Sequence, residues 1–276
     1  MFRPFRLVPI ALALAVGLAG CSKTSDSTAP PFLDQDFADE IAQHVGMVLA
    51  AGHGGSMLTL TVTAATVPAG APVSQQISQD AARAARDTLF PAGNVAWAVV
   101  DTFYTAGGTA QPDYDALSTR VSMHAIGNGE VHSAVFHATL AHRADLQGTG
   151  LSVTRDTLYM AGTARDSSRS RFTAKFSTAT VRLLCVSSIT HQNVVTLKGQ
   201  SPFTPPLGAL CDWNMTVTRF GSSDTTSVDR TMSVETIVAF DGTSKAVIQV
   251  GGLYEYQVDL DTGDLTRYGA QRIAAR

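Results

Sequence analysis

The stretch VDRTMSVETIVAFDGTSKAVIQVGGLYEYQVDLDTGDLTRY, residues 228–268, determines the predicted fold. Four runs rich in Val, Ile, Thr and Tyr are separated by residues that favour tight turns, namely Asp241-Gly242, Gly251-Gly252 and Asp261-Thr262-Gly263-Asp264. This pattern predicts an antiparallel meander. The predicted strands are 228–240, 243–250, 253–260 and 265–268.

Apolar residues fall on both faces of this meander when the turns set the register. One face receives Val234, Val238, Val247, Tyr254, Tyr256 and Val258. The other receives Ile237, Ala239, Ala246, Ile248, Val250 and Leu253. A sheet that is apolar on both sides needs a second layer of structure to cover it.

An earlier hairpin is predicted over Thr119–Leu140, around the pair Asn128-Gly129 that is typical of type I′ turns. Pairing Ile126 with Val131 leaves Val131 on a mostly polar face. The opposite face toward the core contains Val121, Met123, Ala125, Ala134, Phe136, Ala138 and Leu140. A strand over Ser170–Thr178 likewise alternates, with Phe172, Ala174 and Phe176 opposite Arg171, Thr173 and Lys175.

Two helices are predicted before the sheet. Apolar residues recur at helical spacing at Leu33, Phe37, Ile41, Val45, Val48 and Leu49, and Gly52 ends this helix. A second helix is predicted over Ser78–Phe90, with Pro91 ending it, and a strand is predicted to begin after Ser56. The predicted fold class is mainly β (α+β), with antiparallel hairpins and a meander on which two N-terminal helices pack.

The first 21 residues contain the most specific functional signal. Arg3 and Arg6 precede an apolar stretch of 13 residues from Leu7 to Ala19, and the tetrapeptide Leu18-Ala19-Gly20-Cys21 closes it. This segment resembles a bacterial lipoprotein signal peptide. The stretch is shorter than the roughly 20 residues that a membrane-spanning helix needs.

The resemblance implies that the chain is cut before Cys21 and that the Cys21 thiol receives a diacylglyceryl group. It also implies a location in the bacterial cell envelope. In lipoproteins of the Gram-negative type an Asp after this Cys commonly retains the protein in the inner membrane. Ser22 stands there in this chain, which favours the outer membrane.

The predicted organisation is a signal peptide at 1–20, a flexible tether at 21–32 and a single β-rich domain at 33–276. A boundary near Gly107–Pro112 is an open alternative. Removing the signal peptide leaves 18 basic and 23 acidic residues, a formal charge of 18 − 23 = −5. An acidic chain lacks the concentrated basic face that nucleic acids require, so no nucleic-acid partner is expected.

Two cysteines follow Cys21, and Cys185 and Cys211 are predicted to form a disulfide in an oxidising compartment. The alternative is a metal or redox pair. The chain has no CxxC spacing, and no His stands beside either Cys in the sequence.

Several stretches have the residue types of a catalytic or metal site. Gly52-His53-Gly54-Gly55-Ser56 resembles the Gly-rich oxyanion loop of some esterases, but no G-x-S-x-G motif follows, and a helix-ending turn also explains the glycines. His132, His137 and His142 recur every five residues, a spacing that puts His137 on the opposite face of a strand. His124 lies on the same polar face as His137, but the predicted pairing separates them diagonally by four positions. That separation is too large for the two to bind one metal ion.

Charged side chains form two further candidates. Asp259, Asp261, Gly263 and Asp264 offer oxygen ligands for calcium, but their order differs from that of a calcium-binding loop. The densest basic region contains Arg165, Arg169, Arg171, Lys175 and Arg182. It predicts a solvated surface and, as a weaker alternative, contact with anionic lipid headgroups.

These observations favour a cell-envelope lipoprotein that acts as a non-enzymatic binding or structural module, attached to the membrane through Cys21. No cofactor, catalytic residue or metal ligand is predicted. One alternative is a lipid or lipoprotein carrier with an apolar pocket, an arrangement that looks broadly like the outer-membrane lipoprotein-receptor fold. A third hypothesis is a hydrolase that uses His53 and Ser56.

Overall fold

The computed structural model describes residues 32–50, 55–67, 90–92, 94–111, 114–151, 155–201, 203–221 and 228–268. Within these ranges, α1 spans Gln35–Leu49 and α2 spans Leu58–Thr66. The strands are β1 Phe90–Ala92, β2 Asn94–Thr105, β3 Ala110–Gln111, β4 Ser118–His132, β5 Phe136–Thr149, β6 Thr157–Thr173, β7 Thr180–Leu197, β8 Gly208–Phe220, β9 Val228–Phe240, β10 Lys245–Val250, β11 Tyr254–Asp259 and β12 Leu265–Arg267.

All 12 strands belong to one antiparallel sheet. Neighbours in the sheet follow chain order, except that β3 pairs only with β2. Buried and exposed residues alternate along the long strands, so one face is core and the other faces solvent. The predicted mainly β, α+β class is confirmed.

The first helix lies inside the curve of this sheet. Its predicted position is confirmed, and the Asp34 carboxylate caps it by accepting a hydrogen bond of 2.8 Å from the Phe37 amide. Every residue from Phe37 to Leu49 is buried. α1 contacts β5, β10, β11 and β12, and β5 and β12 lie seven strands apart in the sheet. A flat sheet would separate these two strands by about 34 Å, more than the roughly 22 Å length of the helix, so the sheet curves around α1.

The turn between β6 and β7 holds the middle of the sheet against its last strand. The Gln43 side chain on α1 donates to the Thr173 carbonyl at 3.1 Å and accepts from the Lys175 amide at 2.9 Å. The Lys175 ammonium lies 2.6 Å from the Asp264 carboxylate, just before β12. The curled sheet is therefore joined to itself across the helix by side-chain contacts.

The second helix corrects the predicted strand after Ser56. The alternation of Leu and Val with Thr in Leu58–Thr66 is a strand pattern, but the segment is helical. From Leu58 to Thr63 the apolar side chains and the threonines are all buried. The Thr59 hydroxyl bonds to the Ser56 carbonyl at 2.8 Å, and the Thr63 hydroxyl bonds to Asp101 at 2.9 Å. Because surrounding structure covers every side, a period of two no longer marks an exposed face.

The predicted helix at Ser78–Phe90 lies outside the described residues, apart from Phe90, which begins β1. That last residue is therefore in a strand and not in a helix.

The predicted turn at Asn128-Gly129 is wrong. Strand β4 continues through this pair, Gly129 lies opposite Leu140, and residues 133–135 form the turn. A Cβ on Gly127 would lie 2.5 Å from the Trp97 ring, so this glycine makes room for a tryptophan on the next strand. Extending β4 brings Val131 into the core, although it was assigned to the polar face, and leaves Ala134 exposed.

The other residues that were assigned to the core face of that hairpin are buried, as predicted: Val121, Met123, Ala125, Phe136, Ala138 and Leu140. The alternation of exposed Arg171 with buried Phe172 is also confirmed. That strand ends at Thr173, before the predicted end at Thr178, since residues 174–179 form the turn to β7.

The C-terminal meander is confirmed, with one error of face. Ala246 pairs with Phe240, so five residues separate the paired positions, where a two-residue turn was predicted. This shift moves Ile248 opposite Val238 on the buried face, while Val247 is only half-buried on the outer face. An odd shift in register exchanges the two faces of a strand.

Candidate functional site

The predicted disulfide between Cys185 and Cys211 is not formed. Cys185 lies opposite Val217, and Cys211 lies opposite His191, six residues from Val217 along β8. At roughly 3.3 Å per residue this separates the two cysteines by about 20 Å, well beyond the reach of a disulfide. Both are buried free thiols, and burial raises the pKa of each.

We expect both thiols to be unreactive in the folded protein. A buried, protonated thiol is a poor nucleophile, so a thiol reagent should label Cys185 and Cys211 only after denaturation. Intact mass measured before and after reduction checks the same point. A gain of about 2 Da on reduction would show a disulfide between them and contradict the assignment.

A buried polar cluster lies on the concave face of the sheet. The His142 Nδ1 on β5 contacts the Asp166 carboxylate directly across the strand pair, and both side chains are sealed from solvent. The Trp97 ring packs edge-on against His142 with centroids 5.3 Å apart. The space that Gly127 leaves for Trp97 therefore also positions this histidine.

Two more histidines complete the cluster. His191 Nδ1 on β7 lies 3.1 Å from the Cys211 sulfur. His44 on α1 hydrogen-bonds through both ring nitrogens, at 2.9 Å to the Ser170 hydroxyl and at 2.8 Å to the Ser168 hydroxyl. His44 thus joins the central helix to β6.

Burial makes two of these histidines hard to protonate. Desolvation lowers the pKa of His44 to about 4, and the nearby Asp166 carboxylate opposes this shift. Desolvation also lowers the pKa of His191 to about 4, helped by His142 and opposed by Asp166. Both rings are therefore neutral near pH 7.

The His142–Asp166 pair is the arrangement of a general base with an orienting carboxylate. A base also needs a nucleophile and access to a substrate. His142 Nε2 has no hydrogen-bond partner among the described residues, and the side chain is 0% exposed. A cavity of about 10 Å³ beside Trp97, lined also by Leu58 and Val62, has room for about one water. The described contacts of the cluster join α1 to β6, β5 to β6 and β7 to β8.

This cluster makes stability depend on pH. Between pH 4.5 and 6.5 the unfolded chain protonates His44 and His191, while the folded chain does not. In the same window the folded chain protonates Glu40, because burial raises its pKa to about 7 against the opposing effect of Arg219. The unfolded state therefore binds about one more proton, and stability rises with pH.

We expect the free energy of unfolding to fall by about 2 kcal/mol between pH 6.5 and pH 4.5, as measured by denaturant titration. His44→Gln removes one titrating group and should make the curve nearly flat over this range. His137→Gln, at an exposed histidine on the outer face, is the control and should keep the wild-type slope. A wild-type curve that is flat or slopes the other way would contradict the assignment.

The Gly-rich loop is only partly described, because residues 51–54, including His53, lie outside the described ranges. The Gly55 amide donates to the Ala50 carbonyl at 3.0 Å and the Ser56 amide to the Val48 carbonyl at 2.9 Å. These amides bond to carbonyl groups at the end of α1, so they are not available to bind an oxyanion. The helix-ending interpretation of the loop is supported.

The three histidines at five-residue spacing do not share one site. The prediction that His137 faces away from His132 is wrong, since the two lie directly opposite each other on the outer face, because the turn at residues 133–135 puts them on different strands. His142 lies on the inner face, as its separation from His137 predicts. His124 contacts Asp145 at 2.7 Å. Among the residues that the structure describes, no three His, Cys, Asp or Glu side chains are placed to hold a metal ion.

The acidic turn is organised by its own hydrogen bonds. Asp259 accepts from the amides of Asp261 at 3.1 Å and Thr262 at 3.0 Å, and Asp264 pairs with Lys175. This is the geometry of a hairpin connection. Cys21 lies outside the described ranges, so its acylation stays a prediction.

Sequence reasoning missed the buried cluster, although a signal was present. His44 stands three residues after Ile41 and four before Val48, within the apolar stripe of the predicted helix. His191 continues the alternation of Cys185 and Ile189 along β7. Asp166 had no such signal, since its neighbours along the strand are Arg and Ser.

Comparison with protein-family models, curated proteins and solved structures gives no match. None of the helices in the described ranges is long and apolar enough to cross a membrane.

Proposed function

We propose that this protein is a cell-envelope lipoprotein whose domain is a rigid, non-enzymatic binding or structural module, held at the membrane by acyl chains on Cys21. The anchoring part rests on the resemblance of residues 1–21 to lipoprotein signal peptides. Two or three acyl chains make such an attachment effectively permanent, because each buried methylene adds about 0.8 kcal/mol.

The observation that supports a module is the position of α1. The helix occupies the space inside the curved sheet, and its residues from Phe37 to Leu49 are buried. A carrier needs an open pocket of several hundred Å³ for an acyl ligand. In the described part of the chain, that space is filled by Ile41, Val45 and Val48, which are 0–1% exposed. This packing disfavours the carrier alternative.

The sealed His142–Asp166 pair also disfavours a hydrolase, since both side chains are buried and substrate could not reach them in the described structure. The hydrolase hypothesis based on His53 and Ser56 gains no support from Ser56, which is buried and whose amide caps α1. Within the described residues, the exposed outer face of the sheet is the surface that we propose for function.

The anchor is tested by expressing the full chain in a Gram-negative bacterium fed labelled palmitate. We expect label in the wild type and none in Cys21→Ala, which should also keep its signal peptide by intact mass. Cys185→Ala is the matched control and should be labelled like the wild type. An unlabelled wild type would refute the anchor.

The module is tested on protein released gently from those membranes. Native mass spectrometry should show the polypeptide with its covalent lipid and no further acyl ligand. A stoichiometric bound lipid would favour the carrier, and turnover of ester, glycoside or peptide substrates would favour an enzyme.

A further inference from the structure

Five arginines gather on the outer face of β5, β6 and β7, although the chain as a whole has a formal charge of −3. They are Arg143, Arg165, Arg169, Arg171 and Arg182, called here the arginine cluster. Four are exposed and Arg182 is half-buried. Four of the five belong to the basic region predicted from the sequence, and the pairing of β5 with β6 adds Arg143.

The cluster contains two pairs of arginines at directly opposed positions. Arg143 lies directly opposite Arg165 across β5 and β6, and Arg171 lies directly opposite Arg182 across β6 and β7. Like charges in directly opposed positions of an antiparallel sheet lower its stability. Two such pairs on one face are therefore unfavourable for folding, and a bound anion would relieve the repulsion.

The surroundings do not neutralise these charges. Among the described residues, the only acid directly opposite a cluster member or two along its strand is Asp145, which lies 3.5 Å from Arg143. Apart from Arg143, the immediate neighbours of Arg165 are Ser188, Thr163 and Ser167. The cluster is thus a rigid, positively charged area on a surface of small polar side chains, suited to an extended anion.

We infer that the arginine cluster docks on an anionic lipid surface. This rests on the proposed function, in which a tether of ten residues from Ser22 to Pro31, at most about 35 Å long, keeps the domain beside a membrane. Phosphate headgroups match the guanidinium in charge and geometry. The exposed cluster offers no row of aromatic side chains on which nucleic-acid bases would stack, which favours lipid over nucleic acid.

The test uses the mature chain from Ser22 without its lipid, so that binding does not depend on the anchor. Sedimentation with phosphatidylcholine vesicles that contain about a quarter phosphatidylglycerol should show salt-sensitive binding, and pure phosphatidylcholine vesicles should show none. Arg165→Thr/Arg171→Thr should weaken binding about 25-fold, since each arginine contributes a factor of about five.

The same double variant should not lower the denaturant midpoint, because it removes one arginine from each opposed pair. Arg165→Lys/Arg171→Lys keeps the charge and should retain most of the binding. The matched control Arg120→Thr/Lys245→Thr removes equal charge from exposed positions outside the cluster, and binding should fall less than about threefold.

The inference would be overturned if the wild type did not bind, or if the two Thr double variants lost binding equally. It would also be overturned by a lowered denaturant midpoint in Arg165→Thr/Arg171→Thr, or by tighter binding to a short DNA duplex than to the vesicles. If palmitate labelling failed while the protein still bound the vesicles, the anchor alone would be refuted. The two proposals therefore fail separately.

Discussion

Gly55→Ala is expected to lower the free energy of unfolding by about 3 kcal/mol. A Cβ at this position would lie 2.3 Å from the Val48 carbonyl oxygen and 2.6 Å from that of Leu49. Both obstacles are backbone atoms at the end of α1, which is packed inside the sheet and has no room to move. The substitution would push the chain away from the helix and break the bond from the Gly55 amide to Ala50.

Urea denaturation followed by circular dichroism measures this effect. Gly208→Ala is the matched control, because the nearest atom to its new Cβ is the Phe240 carbonyl oxygen at 4.0 Å. The control should change stability by less than about 1 kcal/mol. Similar losses in the two variants would mean that Gly55 does not approach α1 as closely as described.

Arg267→Met is expected to lower the free energy of unfolding by about 3 kcal/mol, because it leaves a buried carboxylate without its counter-charge. Asp39 is 5% exposed and accepts from the Tyr256 hydroxyl at 2.8 Å, from Gln35 at 2.9 Å and from Arg267 Nε at 3.0 Å. The guanidinium also lies 4.2 Å from the centroid of the Phe176 ring. One side chain thus links α1, β12 and the turn between β6 and β7.

Lys175→Met provides the comparison at the same turn. The pair of Lys175 with Asp264 is exposed, so its loss should lower the free energy of unfolding by less than about 1 kcal/mol.

Adding Asp39→Asn to Arg267→Met removes the stranded charge and should recover part of the stability. Strict additivity of these two substitutions would rule out the direct pairing of Asp39 with Arg267.

These buried acids show how a local prediction changes in the folded chain. Acids near the start of a helix complement its dipole, and Asp39 and Glu40 lie in the first two turns of α1. Enclosure of the helix buries both, and each then needs an arginine from a distant strand. Arg267 reaches Asp39, and Arg219 reaches Glu40 at 2.9 Å.

The errors in the prediction share one cause, which is that the same residue type serves more than one structural purpose. Asn128 and Gly129 suggested a turn, but the strand continues through them, and the adjacent Gly127 accommodates Trp97, which lies 30 residues earlier in the chain. The alternation in Leu58–Thr66 suggested a strand, but both sets of side chains are covered. Two cysteines suggested a bridge, but the register of β7 and β8 separates them.

The amino-acid sequence by itself determined the amphipathic period of α1, the four strands of the C-terminal meander and the lipoprotein-like signal, because each is encoded in neighbouring residues. Only the tertiary structure decided the register of β4, the enclosure of α1, the buried histidine cluster and the opposed arginines. These features depend on contacts between residues far apart in the chain. A local pattern gives the direction of a side chain, and the curvature and register of the sheet decide what that side chain meets.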